Sequence, residues 1–149
     1  MPADPTRAPV AVQLHWRLDP RRRPPEAILE AWPTIADVAR AAAAAGARVA
    51  AVIASAHDAV LERDGVTFHF VAEPGAYTHA RRRRAPRRPR RLLRRVAELA
   101  PDVVHANGFS FPVQTRALAR ALPTTPVLVQ DHADRPPPRR KRWLHRWGY

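Results

Sequence analysis

Two short aliphatic segments of the chain end abruptly in side chains that can hydrogen-bond or titrate. Residues 102–104 lead into one such polar stretch, and residues 127–129 lead into another. Segments of this kind are typical of strands buried on both faces of a parallel sheet, and ligands bind just beyond the carboxyl ends of those strands. We therefore expect one binding cleft that both strands supply with side chains. Its candidate residues are His105, Asn107, Gly108, Asp131 and His132.

Each of these candidates also has a purely structural interpretation. His105 could satisfy a backbone carbonyl at the end of its strand, and Asn107-Gly108 is a common turn sequence. Asp131 and His132 are adjacent, so in a strand they point to opposite faces and only one of them faces the cleft. Of these two, we favour His132 as the residue that contacts a ligand.

A third polar group follows the first predicted strand, residues 9–14. His15 ends this segment, and Trp16 and Arg17 come next. The indole of Trp16 could stack against a ring of a bound ligand, or it could only cap the core. We count all three as candidate binding residues.

No set of residues predicts a catalytic centre. His105, His132 and Asp134 offer three metal ligands, but their spacing lacks the tight local pattern of metal sites, so we predict no metal. The sequence has no Ser-His-Asp arrangement and no Gly-Lys-Ser/Thr phosphate loop. His57 and His69 are interpreted as surface or loop residues.

Strand-like and helix-like segments alternate along the chain. The predicted strands cover residues 9–14, 48–54, 66–71, 102–104 and 126–130, and the predicted helices cover 26–45, 90–99 and 111–122. In the first helix Ile28, Leu29, Ile35 and Val38 are candidate core contacts, Pro33 could start a second helix, and Gly46 is the expected cap. This order predicts an α/β fold: a Rossmann-like three-layer parallel sheet with helical crossovers, forming a single domain over residues 1–149.

The composition narrows the class of protein. A chain of 149 residues has room for one domain with a core, and the absence of cysteine excludes disulfides and thiolate metal sites. No apolar run reaches the roughly 18–20 residues that span a bilayer. The first residues lack the pattern of a signal peptide. We expect a cytoplasmic protein, with peripheral attachment to a membrane as a variant of that expectation.

The formal net charge of +13 favours an anionic partner. However, Lys141 is the only lysine among the 26 lysines and arginines, and alanine and proline are also abundant. A GC-rich coding sequence produces this combination, so we attribute most of the arginine excess to compositional bias.

The arginines are densest between Arg81 and Arg95. We interpret residues 78–90 as an Arg/Pro-rich mobile loop and residues 90–99 as an amphipathic helix. An arginine face opposite a leucine face suits an anionic membrane surface. The same pattern is expected of a helix that packs on the sheet through its leucines and exposes its arginines to solvent. We favour this second interpretation. No aromatic residue lies inside the cluster, so nucleic acid is disfavoured as a partner.

Several landmarks, taken in order, resemble the amino-terminal domain of GT-B fold glycosyltransferases of the family 4 type. They lie at residues 14–16, 44–49, 64–66, 101–108 and 130–133. The resemblance implies an acceptor-side domain, with the nucleotide-sugar donor held largely by a carboxyl-terminal domain. It implies no cofactor other than that donor substrate.

The chain departs from the family pattern at two sites. Members often carry a Gly-rich turn after the first strand, but residues 17–25 contain no glycine. Their arginines could meet phosphates, yet the close backbone approach that glycine permits is missing. The usual His-x-His appears here as His105-Ala106-Asn107. Because asparagine cannot act as a general base, no catalytic residue is assigned.

Length is the largest departure. Two Rossmann-like domains need about 300–400 residues, and this sequence ends at Tyr149. We expect a truncated or split glycosyltransferase with an incomplete first domain, inactive unless a separate carboxyl-terminal donor-binding chain completes it. The alternative is a small basic α/β protein that binds nucleic acid or anionic lipid. Salt dependence separates nucleic-acid binding from the first hypothesis, because such binding falls steeply with salt.

Overall fold

The computed structural model describes residues 7–73, 88–108, 110–130 and 146–147. The main elements in chain order are β1 (Val10–His15), α1 (Pro25–Ala31), α2 (Pro33–Ala44), β2 (Arg48–Ser55), β3 (Ala59–Arg63), β4 (Val66–Ala72), α3 (Arg90–Glu98), β5 (Val103–Asn107), α4 (Pro112–Ala121) and β6 (Val127–Gln130). The greater part of the predicted loop 78–90 lies outside the described residues.

Six strands form one sheet in the order β3-β4-β2-β1-β5-β6. Every neighbouring pair is parallel except β3 and β4, which are antiparallel. The Rossmann-like α/β prediction is therefore confirmed. The antiparallel pairing of β3 with β4 was not part of that prediction.

Apolar residues alternate between the two faces of the sheet. On one face Val12 and Leu14 of β1 pack with Leu92 and Val96 of α3 and with Leu118 of α4. We call this the α3/α4 face.

On the other face, the α1/α2 face, strand residues pack with apolar side chains of α1 and α2. Phe68 and Ile53 are buried there against Ile28, Leu29 and Ile35. Helices therefore lie on both faces, and the three-layer prediction is confirmed.

Proline and glycine fix the ends of the helices on the α1/α2 face. Pro25 and Pro33 start α1 and α2, where a missing N–H costs nothing. Gly46, with φ of 95°, follows α2, and the N–H groups of Gly46 and Ala47 donate to Ala43 and Ala42. This is a Schellman ending. The prediction that Val38 is a core contact is wrong. Its side chain lies on the exposed side of α2.

The β3–β4 hairpin was not predicted in full. Asp64 and Gly65 form its turn with φ of 52° and 74°, as a two-residue hairpin with a primed turn requires. β3 is a largely exposed edge strand, so its sequence lacks a clear apolar pattern. His69 lies within β4 and is half-buried, so its interpretation as a surface or loop residue is wrong, whereas His57 is exposed as predicted.

Candidate functional site

The strand order reverses at β1, and a crevice is expected at such a reversal. On one side of β1 lie β2, β4 and β3, which the first half of the chain forms, and on the other side lie β5 and β6, which follow them in the chain. Ligands of open α/β sheets bind at this kind of reversal, outside the carboxyl ends of the strands. Here those ends belong to β1 and β5, which are direct neighbours.

His15 and Asn107 meet at this crevice. They are opposite each other in the β1–β5 register, and the side-chain nitrogen of Asn107 lies 3.5 Å from His15 Nδ1. An amide nitrogen can only donate, so Nδ1 is the acceptor of this long contact. The structure thus brings together two residues that the sequence analysis selected from segments far apart in the chain.

Two further polar residues extend the pair along the sheet. Gln13 is opposite His105 in the same register, and both lie on the same face as His15 and Asn107. We call these four residues the polar strip. His105 lies inside β5 and not just after it, because β5 continues pairing with β1 as far as Asn107.

Gln13 is the member of the polar strip that sequence reasoning missed. It is 4% exposed, and its side-chain oxygen finds no hydrogen-bond partner within the described part of the chain. A polar side chain in an apolar strand, two positions before His15, was the available signal. Burial of an unsatisfied amide oxygen is costly, which favours a ligand or water as its partner.

Trp16 and Arg17 do not join the polar strip. Trp16 is 3% exposed and packs in the core of the α3/α4 face, on the opposite side of the sheet. Its ring therefore serves the core, one of the two interpretations open from the sequence. Arg17 is exposed beyond the end of β1.

A buried carboxylate organises the loop after β1. Asp19 is 1% exposed and accepts hydrogen bonds from the backbone N–H groups of Arg21 and Arg23, at 3.4 and 3.0 Å. The Arg23 guanidinium lies 3.6 Å from the same carboxylate. Arg23 is thus committed to the loop itself, whereas Arg21 and Arg22 are exposed beside the crevice. Asp19 therefore fixes the shape of this glycine-free loop.

Gly108 joins the ends of β5 and β6. Its N–H donates to the Gln130 carbonyl at 2.6 Å, and its φ of 103° is a conformation that favours glycine. An added Cβ would lie 3.3 Å from the ring of Phe111. The role of Gly108 is therefore to shape the turn behind Asn107. Asp131 and His132, the remaining candidates, lie outside the described residues.

The described residues offer neither a metal centre nor a membrane-spanning helix. Among the described residues, no group of three histidine and acidic side chains is placed to hold a metal ion. None of the helices in that part of the chain is long and apolar enough to cross a membrane.

Comparison with known proteins adds one finding. A family model described as Glycosyltransferase Family 4 matches residues 31–149, most of the chain. The match includes β5, β6 and the Asn107 turn, whereas β1 with His15 precedes it. A search of curated proteins found no match.

Proposed function

Because the chain belongs to glycosyltransferase family 4, we propose that it forms the acceptor-side half of an enzyme that transfers a sugar from a nucleotide-sugar donor. In this proposal the polar strip binds hydroxyl groups of the acceptor. The donor is held by a separate carboxyl-terminal domain or chain.

The observation that carries the proposal is the contact between His15 and Asn107 at the reversal of the strand order. Imidazole and amide groups both donate and accept hydrogen bonds, which suits sugar hydroxyls. The polar strip contains no carboxylate, so it favours a neutral polyol over a cation. Gln13 and His15 are buried, so acceptor hydroxyl groups would reach the polar strip through the half-buried His105 and Asn107, from the edge of the sheet that a second domain would face.

Neutral sugars test the binding half of the proposal. Methyl glycosides of glucose, mannose and galactose, titrated separately, should shift the NMR signals of the Asn107 side-chain amide and the His15 ring. Loss of one neutral hydrogen bond in Asn107→Ala should weaken binding about 2–10-fold. His57→Ala, which removes an exposed histidine outside the polar strip, is the control and should bind normally.

The proposal fails if no glycoside shifts these signals, or if Asn107→Ala binds as well as the parent chain. A separate assay addresses transfer: the chain alone should release no nucleoside diphosphate from nucleotide sugars. Turnover by the chain alone would contradict the requirement for a donor-binding partner but not the acceptor site.

Contact with an anionic lipid surface is a second candidate, supported by the exposed Arg90 and Arg94 of α3. The apolar side of this helix packs in the core, where Leu92 is 1% exposed and Val96 is fully buried. Such a contact would therefore be electrostatic, without insertion of the helix into the bilayer.

A further inference from the structure

A second pocket lies between β3, β4 and α3, away from the polar strip. Its volume is about 390 Å³. The residues that matter for its chemistry are Val60, His69, Arg91, Arg94, Arg95 and Glu98. The proposed acceptor site does not use these side chains.

His69 and Val60 form the floor of this α3 pocket. They are directly opposite in the β3–β4 register, so both side chains lie on the α3/α4 face of the sheet. Val60 is 56% exposed. Nδ1 of His69 is buried and makes no hydrogen bond to any residue in the described ranges. Since this atom has no exposed surface, other atoms of the His69 ring line the pocket.

One wall of the α3 pocket is held rigidly by Arg91. Its Nη1 donates to the Ala72 carbonyl at 2.5 Å, and its Nη2 donates to Asp58 at 2.9 Å. The Asp58 carboxylate also accepts from the Ala72 N–H at 2.9 Å. The charge of Arg91 is therefore compensated, and this residue shapes the pocket without offering it a free charge.

The next turn of α3 carries an excess of positive charge. Arg94 Nε lies 3.7 Å from one oxygen of Glu98, and Arg95 Nη1 lies 2.9 Å from the other. Two guanidinium groups thus share one carboxylate. Within the described lining, one positive charge has no counterpart. Arginine donors placed side by side match the several oxygens of a phosphoryl group.

The electrostatics of His69 depend on its burial and on the charged side chains around the pocket. Burial lowers the pKa of His69, and the neighbouring Arg95 lowers it further, while Glu62 and Glu98 act in the opposite direction. Burial and Arg95 therefore favour the neutral form of the ring, which adds no positive charge to the pocket.

We propose that the α3 pocket binds a phosphoryl group, held by the guanidinium groups of Arg94 and Arg95 with the His69 imidazole at its base. The bound dianion displaces the shared carboxylate of Glu98 from the two arginines. Val60 provides an apolar surface for the group that carries the phosphate. This proposal does not rest on the acceptor site, and either can fail alone.

The test uses inorganic phosphate as the probe and the His69 ring signals as the readout. Phosphate should shift these signals saturably and raise the pKa of His69, because an anion stabilises the protonated ring. Loss of one charge-assisted hydrogen bond in Arg95→Gln should weaken binding about ten-fold or more. Arg94→Gln, which changes an exposed side chain, should act in the same direction.

Arg120→Gln is the matched control, because it removes the same charge from an exposed position on α4. It should leave phosphate binding unchanged. If Arg120→Gln weakens binding as much as Arg95→Gln, the anion is attracted only by the overall net charge and the proposal is overturned. Unchanged His69 signals at saturating phosphate would also overturn it.

Two further arms distinguish the source of the phosphoryl group. Displacement of phosphate by glycerol 3-phosphate but not by vesicles assigns the pocket to a free phosphate ester. Displacement by vesicles of phosphatidic acid, and not by vesicles of phosphatidylcholine, assigns it to a lipid headgroup. Either result supports a phosphoryl site, whereas failure of both to displace phosphate contradicts it.

Discussion

At the scale of single residues, the polar strip has the chemistry of binding more than of catalysis. Asn107 cannot take up a proton, and its nearest partner is the ring of His15. Gly108 then turns the chain and donates to Gln130, which fixes the backbone behind Asn107. In the proposed acceptor site, Asn107 would therefore orient hydroxyl groups, and within the polar strip only His15 and His105 could transfer a proton.

Asp102 has a structural role at the opposite, amino-terminal edge of the sheet. Its carboxylate accepts from the Val10 N–H at 2.7 Å and from the Arg7 guanidinium at 2.6 and 2.7 Å. Its own N–H donates to the Val10 carbonyl. The hydrogen bond from Val10 and the charge of Arg7 hold the pKa of Asp102 below its ordinary value. Asp102 therefore ties the start of β5 to the start of β1.

Asp102→Asn should lower the free energy of unfolding at pH 7. Because the pKa of Asp102 is lower in the folded chain than in the unfolded one, its contribution is present above the ordinary aspartate pKa. That contribution is lost as pH falls through the folded-state value. The difference between the two proteins should thus shrink below about pH 4. Urea unfolding at neutral and acidic pH measures it.

Asp37→Asn is a suitable control for this prediction, because Asp37 forms an exposed ion pair with Arg40 within α2. Such pairs contribute little to stability. An equal loss in both variants at pH 7 would show that the Asp102 contacts have no special role.

At the scale of elements, α3 is held by contacts at its first turn. Glu73, at the end of β4, accepts hydrogen bonds from the N–H groups of Arg91 and Leu92 at 2.8 and 3.0 Å. These are N–H groups that no residue of the helix can satisfy. The guanidinium group of Arg91 also donates hydrogen bonds to the Ala72 carbonyl and the Asp58 carboxylate. The two ends of the segment between β4 and α3 are thereby fixed together.

The apolar side of α3 should be the main source of its stabilisation. Leu92→Ala removes a side chain that is 1% exposed, and we expect it to lower the free energy of unfolding by about 2–5 kcal/mol. Leu128→Ala, at a position on β6 that is 59% exposed, is the matched control and should cost far less. Equal effects in chemical denaturation would argue against packing of α3 on the sheet.

At the scale of the whole molecule, the net charge is +13, and the arginines are densest between Arg81 and Arg95. Several arginines form ion pairs within the fold, including Arg7, Arg23, Arg91 and Arg95. Some of the many arginines therefore serve to join parts of the fold. Within the described part of the chain, these pairs also argue against a continuous basic surface that follows a nucleic-acid backbone.

Binding to single-stranded DNA should therefore be weak and non-specific. Any complex seen at low salt should be lost near physiological salt, with a Kd weaker than about 10⁻⁶ M, because counterion release dominates such binding. Fluorescence anisotropy across a salt series measures this. A sub-micromolar Kd that survives at physiological salt would favour the alternative of a basic binding protein.

Much of the fold could be predicted from local patterns. The apolar runs of β1, β2, β4 and β6 and the proline and glycine signals gave the α/β class and the approximate bounds of the helices. The bounds of strands were predicted less well where pairing with a distant strand, and not the local sequence, defines them. β3 is recognisable mainly from its pairing with β4, and β5 extends to Asn107 because β1 pairs with it.

The sequence by itself determined the types of residue at the strand ends, since apolar periodicity and the polar residues that follow it are local properties. Only the tertiary structure decided which of them meet. Placing β5 beside β1 brought Asn107 to His15 and added Gln13, while the two-residue period of β1 turned Trp16 to the other face. The order of strands in a sheet depends on contacts between distant segments, and no local pattern records that order.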